Sequence, residues 1–283
     1  MTLTRFANFG FFLFIIAAVL PRHVHAQTPT VQEFYQALVD HYDPSSPPTL
    51  ENLIRVTDQI AGARPEEITR ALPAIFAAMA HQDEAVKHNA LTGLFEIARR
   101  PDGAGLLKSR VDTIGRDFLA SPNPDTRGGE MIILGMLQPP PPEVLPIFLT
   151  FLKRTDNDAQ AQGSGVIFQL VQIAPENPEV IAAVREFLSR PLDNKSRIDA
   201  LNALGNPSVK DAQVIAMVTS SLDDSDPGVR STAIQALGRM GSQALRQAES
   251  ALEQLAADPK QPAEVTAKAK EALQQLHSGT NKK

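Results

Sequence analysis

A pattern that returns roughly every 36 residues constrains this chain more than any local propensity, because a fixed period forces each copy into the same supersecondary unit. Its clearest instance is Asp226-Pro227-Gly228-Val229-Arg230-Ser231-Thr232-Ala233-Ile234-Gln235-Ala236-Leu237-Gly238. Copies start at Asp83, Asn123, Asn157, Asp193, Asp226 and Pro262, at intervals of 40, 34, 36, 33 and 36 residues. Such a spread is expected when helices hold their length and loops do not. The starting residue is Asp or Asn in five of six copies, side chains that accept from the free amides of a first helical turn. Eleven positions on stands Leu94, Leu134, Phe168, Leu204, Leu237 or Leu273, and seven positions on stands Ala90, Ser164, Ala200, Ala233 or Ala269, with Glu130 the exception. A small and a bulky residue four apart share one helix face; the small one admits a neighbouring helix and the bulky one fills its groove.

A second amphipathic segment follows each of these helices after a Gly or Pro break. Pro227 suits a first helical position, where its missing amide has no partner to lose. Gly241 separates that helix from 243–257, where Leu245, Ala248, Leu252 and Leu255 form one stripe. The four prolines at 139–142 force an extended stop before 143–154. Segments 31–42, 50–61 and 65–80 follow the same hairpin logic, so 27–82 is expected to hold the N-terminal helices and a degenerate capping repeat, with the regular repeats filling 83–276. The pattern predicts an all-α chain of about 14 helices, an α-solenoid of stacked antiparallel hairpins, each hiding its apolar flanks against the next. The rival is two globular domains divided near 43–49, against which the repeat runs on through everything after that stretch. The polar, Gly-containing stretch 277–283 is expected to be disordered.

Composition narrows function. The chain has no Cys, so disulfide frameworks and thiolate metal sites are excluded. With 27 Lys plus Arg against 32 Asp plus Glu it is acidic, and neutralising a phosphate backbone needs clustered basic residues, so no nucleic-acid partner is expected. Aromatic residues make up 5% of the chain and Trp is absent, so its core is expected to be assembled from many contacts of Ala, Leu, Val and Ile.

The amino terminus reads as an address. A single positive charge at Arg5, an apolar run over 9–20 and a short polar segment ending Val24-His25-Ala26 form the three regions of a secretory signal peptide spanning 1–26. Val24 and Ala26 occupy the small-residue positions before a cleavage that leaves Gln27 first. Arg5 and Arg22 enclose 16 positions, fewer than the roughly 20 apolar residues a spanning helix needs. The expectation is an exported protein, periplasmic or extracellular, with no membrane association once the signal is removed.

The Asp226-Pro227, Val229-Arg230, Ala233 and Ala236-Leu237-Gly238 signature resembles the HEAT repeat, specifically the short phycobilisome-lyase-like type. The likeness is strongest over 226–257, good over 83–119 and 193–222, and weak over 123–189; Glu130 and the missing basic residue in the copies at Asn157 and Pro262 depart from it. The resemblance implies a structural ladder, in which the basic residue four positions after each start (Lys87, Arg127, Arg197, Arg230) pairs with an acid of an adjacent turn, the starts themselves being Asp83, Asp193 and Asp226 among others. A row of anion contacts is the functional alternative; the basic residue keeping step with the capping acid favours stacking.

Chemistry is poorly supported. Asp156-Asn157-Asp158 and Asp223-Asp224-Ser225-Asp226 lack the alternating acids, Gly and terminal Glu of a calcium loop, and fall where helix caps are needed. His81 and His88 are the one candidate metal pair, but neither is followed by an acid, whereas the related deoxyhypusine hydroxylases hold di-iron with His-Glu pairs. Nothing points to the pigment substrate of the similar phycobilin lyases. Ser164 lies outside a nucleophile-elbow spacing, and no phosphate-binding glycine loop occurs. Asn194-Lys195-Ser196 is a formal glycosylation sequon, and the proline tract is a rigid spacer before it is a ligand. No catalytic, cofactor or metal residues are assigned. The chain is expected to be a non-catalytic interaction or scaffolding module whose second helices present a mixed-charge surface to a protein or peptide partner, with a lyase-like or metal-dependent enzyme as the alternative.

Overall fold

The computed structural model describes residues 29–280; the expected signal peptide and its Ala26/Gln27 cleavage point lie outside the described residues. These residues contain fifteen α-helices and no strand. The opening helices are α1 (Val31–His41), α2 (Leu50–Gly62) and α3 (Pro65–Met79). The unit at 83 follows as α4 (Glu84–Arg99) and a broken second arm, made of α5 (Gly103–Leu107), a 3-10 turn at Lys108–Arg110 and α6 (Val111–Ala120). This break accounts for the one helix beyond the expected number. Next come α7 (Pro124–Met136) with α8 (Val144–Leu152), α9 (Asn157–Ile173) with α10 (Pro178–Leu188), and α11 (Asn194–Leu204) with α12 (Ala212–Ser220). The last are α13 (Pro227–Met240), α14 (Ser242–Ala257) and α15 (Ala263–Thr280).

Two layers result. Helices α2, α4, α7, α9, α11, α13 and α15 pack successively against one another, while α1, α3, α6, α8, α10, α12 and α14 form the second row. At the opening end α1 packs chiefly on α3 and α2 on α4. A single hydrophobic core runs from Val31 to Leu276 without a gap at 43–49, which rules out two domains divided there.

The starts of the first-row helices behave as their residue types require. The side chains of Asp83, Asn123, Asp193 and Asp226 each accept from an amide in the first turn of the helix they precede. In the third copy the cap is Asp156, whose carboxylate accepts from Ala159 N, so the start expected at Asn157 moves back by one residue. The shift places Gly163 at the small-residue position and the fully buried Ile167 at the bulky one, restoring the repeat's register. Phe187 of α10 lies directly over Gly163; a β-carbon there would come within 2.2 Å of the ring. Gly241 turns the chain from α13 to α14 at φ 100°, a conformation that favours glycine. At the far end α15 continues to Thr280, which corrects the expectation of disorder over 277–280. His277 is anchored there, its Nε2 lying 3.1 Å from Glu249 Oε1 of α14.

Candidate functional site

Polar groups between units concentrate in two rows. The first joins the amino-terminal ends of the first-row helices. Arg127, 1% exposed, donates through Nη1 to Asp158 of the next unit and to the Ser121 carbonyl, both at 3.0 Å, and through Nε to Gln162 at 2.8 Å. Arg197 reaches Asp224 at 3.2 Å. Lys87, in contrast, pairs with Glu84 one turn back at 2.9 Å. Glu84 is itself what crosses to the next unit, accepting from Asn123 Nδ2 at 2.7 Å and Thr126 Oγ1 at 3.0 Å. Those bonds hold its carboxyl below the usual carboxylate range, with the Lys87 ammonium the largest cause. Arg230 donates to the carbonyls of Asp224 at 2.6 Å and Ser225 at 3.1 Å in the turn before its own helix, and its charge is among the causes that lower the Asp258 carboxyl in the next turn. Two of the four expected basic rungs thus cross between units. Asp226 adds a further crossing, accepting from Asn194 Nδ2 at 2.8 Å. The Asn194 amide of the sequon is thereby engaged.

The second row is legible in the sequence only in hindsight. It runs along the carboxyl-terminal ends of the second-row helices, where the free carbonyls need donors. Arg154 donates to the Leu119 carbonyl at 2.9 Å and Arg190 to that of Arg154 at 2.7 Å, while Arg100 makes the same kind of closure in the other row, donating to Ile60 of the first-row helix α2 at 2.6 Å. Arg154 and Arg190 also stand over the rings of Phe151 and Phe187, at 5.1 and 5.4 Å from their centroids. Phe151-Leu152-Lys153-Arg154 and Phe187-Leu188-Ser189-Arg190 recur at the repeat period, and that four-residue signal could have identified these arginines.

Glu130 is the exception in structure as in sequence. It occupies the small-residue position of α7 with no exposed surface, and neither carboxyl oxygen meets a hydrogen-bond donor. Burial, together with the Asp117 carboxyl of α6 facing it, pushes its pKa up to about 10, so it is a neutral acid at pH 7.

The remaining candidates disperse. His81 Nδ1 accepts from the Asp83 amide at 3.0 Å, with its ring edge-on to Tyr42, while His88 is exposed on α4. Among the described residues, no three His, Asp or Glu side chains gather as a metal would require. The acidic clusters serve their turns: Asp156 and Asp226 cap helices, and Asp224 accepts from the Asp226 amide at 2.9 Å. Ser164 is buried in α9, and the proline tract forms the turn between α7 and α8. An open depression at the α14–α15 turn is lined by Ala256, Asp258, Pro259, Gln261, Thr266 and Lys270. The second-row helices expose Arg70, Arg116, Arg185 and Arg246 among Glu66, Glu179, Glu186 and Glu253, and Lys153 is exposed just past the end of α8. Within the described residues no helix is long and apolar enough to cross a membrane.

Helical hairpins stacked in two rows, with capped starts and inter-unit polar rows, define an α-solenoid. The family model for HEAT repeats matches residues 181–274, so that stretch of the chain is identified as HEAT repeats. Among solved structures it is similar to an archaeal HEAT-like repeat protein from Thermococcus onnurineus NA1, at 15% identity and a TM-score of 0.53, over 88% of this chain and 98% of that one. An engineered protein matches at 18% identity and a TM-score of 0.34, over 88% of this chain and 97% of that one. Kap121p, in a structure bound to RanGTP, matches at 14% identity and a TM-score of 0.46, over 87% of this chain and 35% of that one. A search of curated protein sequences finds no match.

Proposed function

We propose that this protein is an exported, non-catalytic scaffold that binds a protein or peptide partner along its second-row face. The observation that carries this reading is the set of exposed, mixed charges on α3, α6, α10 and α14, with Lys153 just past the end of α8. Opposite charges interspersed along parallel helices suit a polypeptide carrying both signs and oppose a uniform polyanion. The two polar rows hold consecutive helices in fixed register, so the face is presented without further ordering cost, which favours binding. The amino-terminal pattern over 1–26 supports export.

The test is affinity capture from the exported fraction with the intact chain and with an Arg185→Glu, Arg246→Glu variant, read by mass spectrometry. The reading expects a protein captured by the intact chain and lost by the variant, together with a mature chain that starts at Gln27. A captured protein retained by the variant would move the interface elsewhere. A chain found starting at Thr2 in the cytosol would end the export claim.

A further inference from the structure

Position seven of the repeat is buried in every copy, and four of its six residues are Ala, with Gly163 a fifth once the register is corrected. The sixth is Glu130, fully buried in α7, the helix that packs on α6. Side chains there are selected for being small and apolar, so an acid is the most costly kind of replacement unless it does something there. As a carboxylate it would have to accept hydrogen bonds, and no donor meets either oxygen. The bond open to it is one in which it donates, as a neutral acid, to the Asp117 carboxylate on α6.

The charged groups around it leave that arrangement standing. From α4, Lys87 acts on it but is engaged by Glu84 at 2.9 Å. From its own helix, Arg127 acts on it but directs its bonds to Asp158, Gln162 and the Ser121 carbonyl; Asp158 and Gln162 are what α9 contributes. From α6 comes Asp117 itself, half-buried. A buried carboxyl group facing a second one cannot ionise without repulsion and loss of solvent, so Glu130 retains its proton.

We propose that Glu130 and Asp117 form a proton-sharing carboxyl pair that locks α6 to α7, so that the joint between the units starting at 83 and 123 loosens when the shared proton is lost. The unlocking is a plain deprotonation: the proton goes to water, leaving two carboxylates across one helix contact. The solenoid then has one pH-sensitive joint along an otherwise apolar stack.

The sign of the effect follows. In the unfolded chain Glu130 ionises near its ordinary value of 4.5, while the folded chain keeps the proton to about 10. Between those values the folded state binds more protons, so this group's contribution to stability declines as pH rises, at most tenfold in the unfolding constant per pH unit.

The experiment compares the full chain with Glu130→Gln, which keeps a donor for Asp117 and cannot titrate. Denaturant unfolding is followed from pH 5 to pH 10. The ratio of unfolding constants, wild type over variant, is expected to rise across this range, and hydrogen exchange over 111–136 to be faster in the wild type than in the variant at pH 9 and equal at pH 5. Parallel stability curves would overturn the pair. So would an infrared spectrum of the wild type at pH 7 with no protonated-carboxyl band absent from the variant. Should Glu130→Gln fail to fold, Asp117→Asn serves instead: with the facing charge removed, Glu130 ionises more readily, so the decline must level off at a lower pH than in the wild type. An unchanged plateau would equally sink the proposal.

Discussion

The guanidinium of Arg190 donates to the backbone carbonyl of Arg154 at 2.7 Å, so that the end of α8 is closed by a side chain from the following unit. The same guanidinium packs over Phe187 and reaches Glu186 at 3.2 Å, leaving the side chain 11% exposed. Arg190→Ala therefore removes a charge-assisted cap and uncovers a ring, at a cost of about 1–3 kcal/mol. In a chain of this size the melting temperature should drop by roughly 2–4 °C for each kcal/mol. Arg190→Lys should recover little of it, since an ammonium cannot span carbonyl and ring with a planar face. Thermal melts of the three proteins check the order.

Two glycines in neighbouring helices should respond to alanine with opposite signs. At Gly128 in α7 an added β-carbon meets nothing within 4 Å, so Gly128→Ala gains helix propensity and stabilises by about 0.5–1 kcal/mol. At Gly163 in α9 the same carbon would stand 2.2 Å from the Phe187 ring, which is fully buried and has nowhere to move. Overpacking there outweighs the propensity gain, and Gly163→Ala should destabilise by about 1–3 kcal/mol. Urea midpoints measured on both variants decide the matter; two shifts of the same sign would contradict it.

The repeat made the architecture readable because each start carries its own chemistry: an Asp or Asn that caps, then small and bulky residues in step. The one slip of register, Asn157 for Asp156, came from three consecutive acid or amide residues, Asp156-Asn157-Asp158, any of which could cap a helix. Spacing alone cannot choose among them; the burial of Gly163 under Phe187 does. The basic rungs were half legible for a related reason. Sequence period tells that Lys87 and Arg230 occupy equivalent positions, but the partner each one takes depends on what its neighbours offer, Glu84 in one case and two backbone carbonyls in the other. The row of carbonyl-capping arginines escaped notice because its acceptors are backbone atoms, which leave no mark on the sequence. Glu130 stood out as an exception to the repeat, while its facing partner Asp117 belongs to a different helix and has no periodic signature.

Acid should weaken the first polar row. Glu84 is held below its ordinary range chiefly by Lys87, with Thr126 and Asn123 adding hydrogen bonds, and the cap Asp193 is lowered chiefly by the amide of Ser196. A carboxyl whose pKa is lower in the folded than in the unfolded chain contributes stability that is complete above its unfolded value and disappears as pH falls through its folded one. Stability from these groups should thus decline as pH drops below about 4–5. Asp193→Asn, which retains an acceptor but no titration, should flatten that acid limb in a pH series of denaturant midpoints. An unaltered limb would show that Asp193 contributes nothing to it.

Arg127 offers the sharpest asymmetry in the molecule, since it is buried while its ionic partner Asp158 keeps 47% of its side chain exposed. Removing the acid leaves the guanidinium with Gln162 and the Ser121 carbonyl, so Asp158→Ala should cost under about 1 kcal/mol, the scale of an exposed pair. Removing the arginine strands that buried carbonyl and opens a cavity beside Phe151, whose ring centroid lies 5.9 Å away, so Arg127→Ala should cost about 3–5 kcal/mol. Arg127→Met separates the two contributions: it refills the space without restoring the donors, and should recover part of the loss, because apolar replacements of buried ions are frequently tolerated. Denaturant unfolding of the three single variants and of the Arg127→Ala, Asp158→Ala double variant measures the coupling directly. A double variant no less stable than Arg127→Ala alone is the expected result, since once the arginine is gone the acid has nothing left to hold.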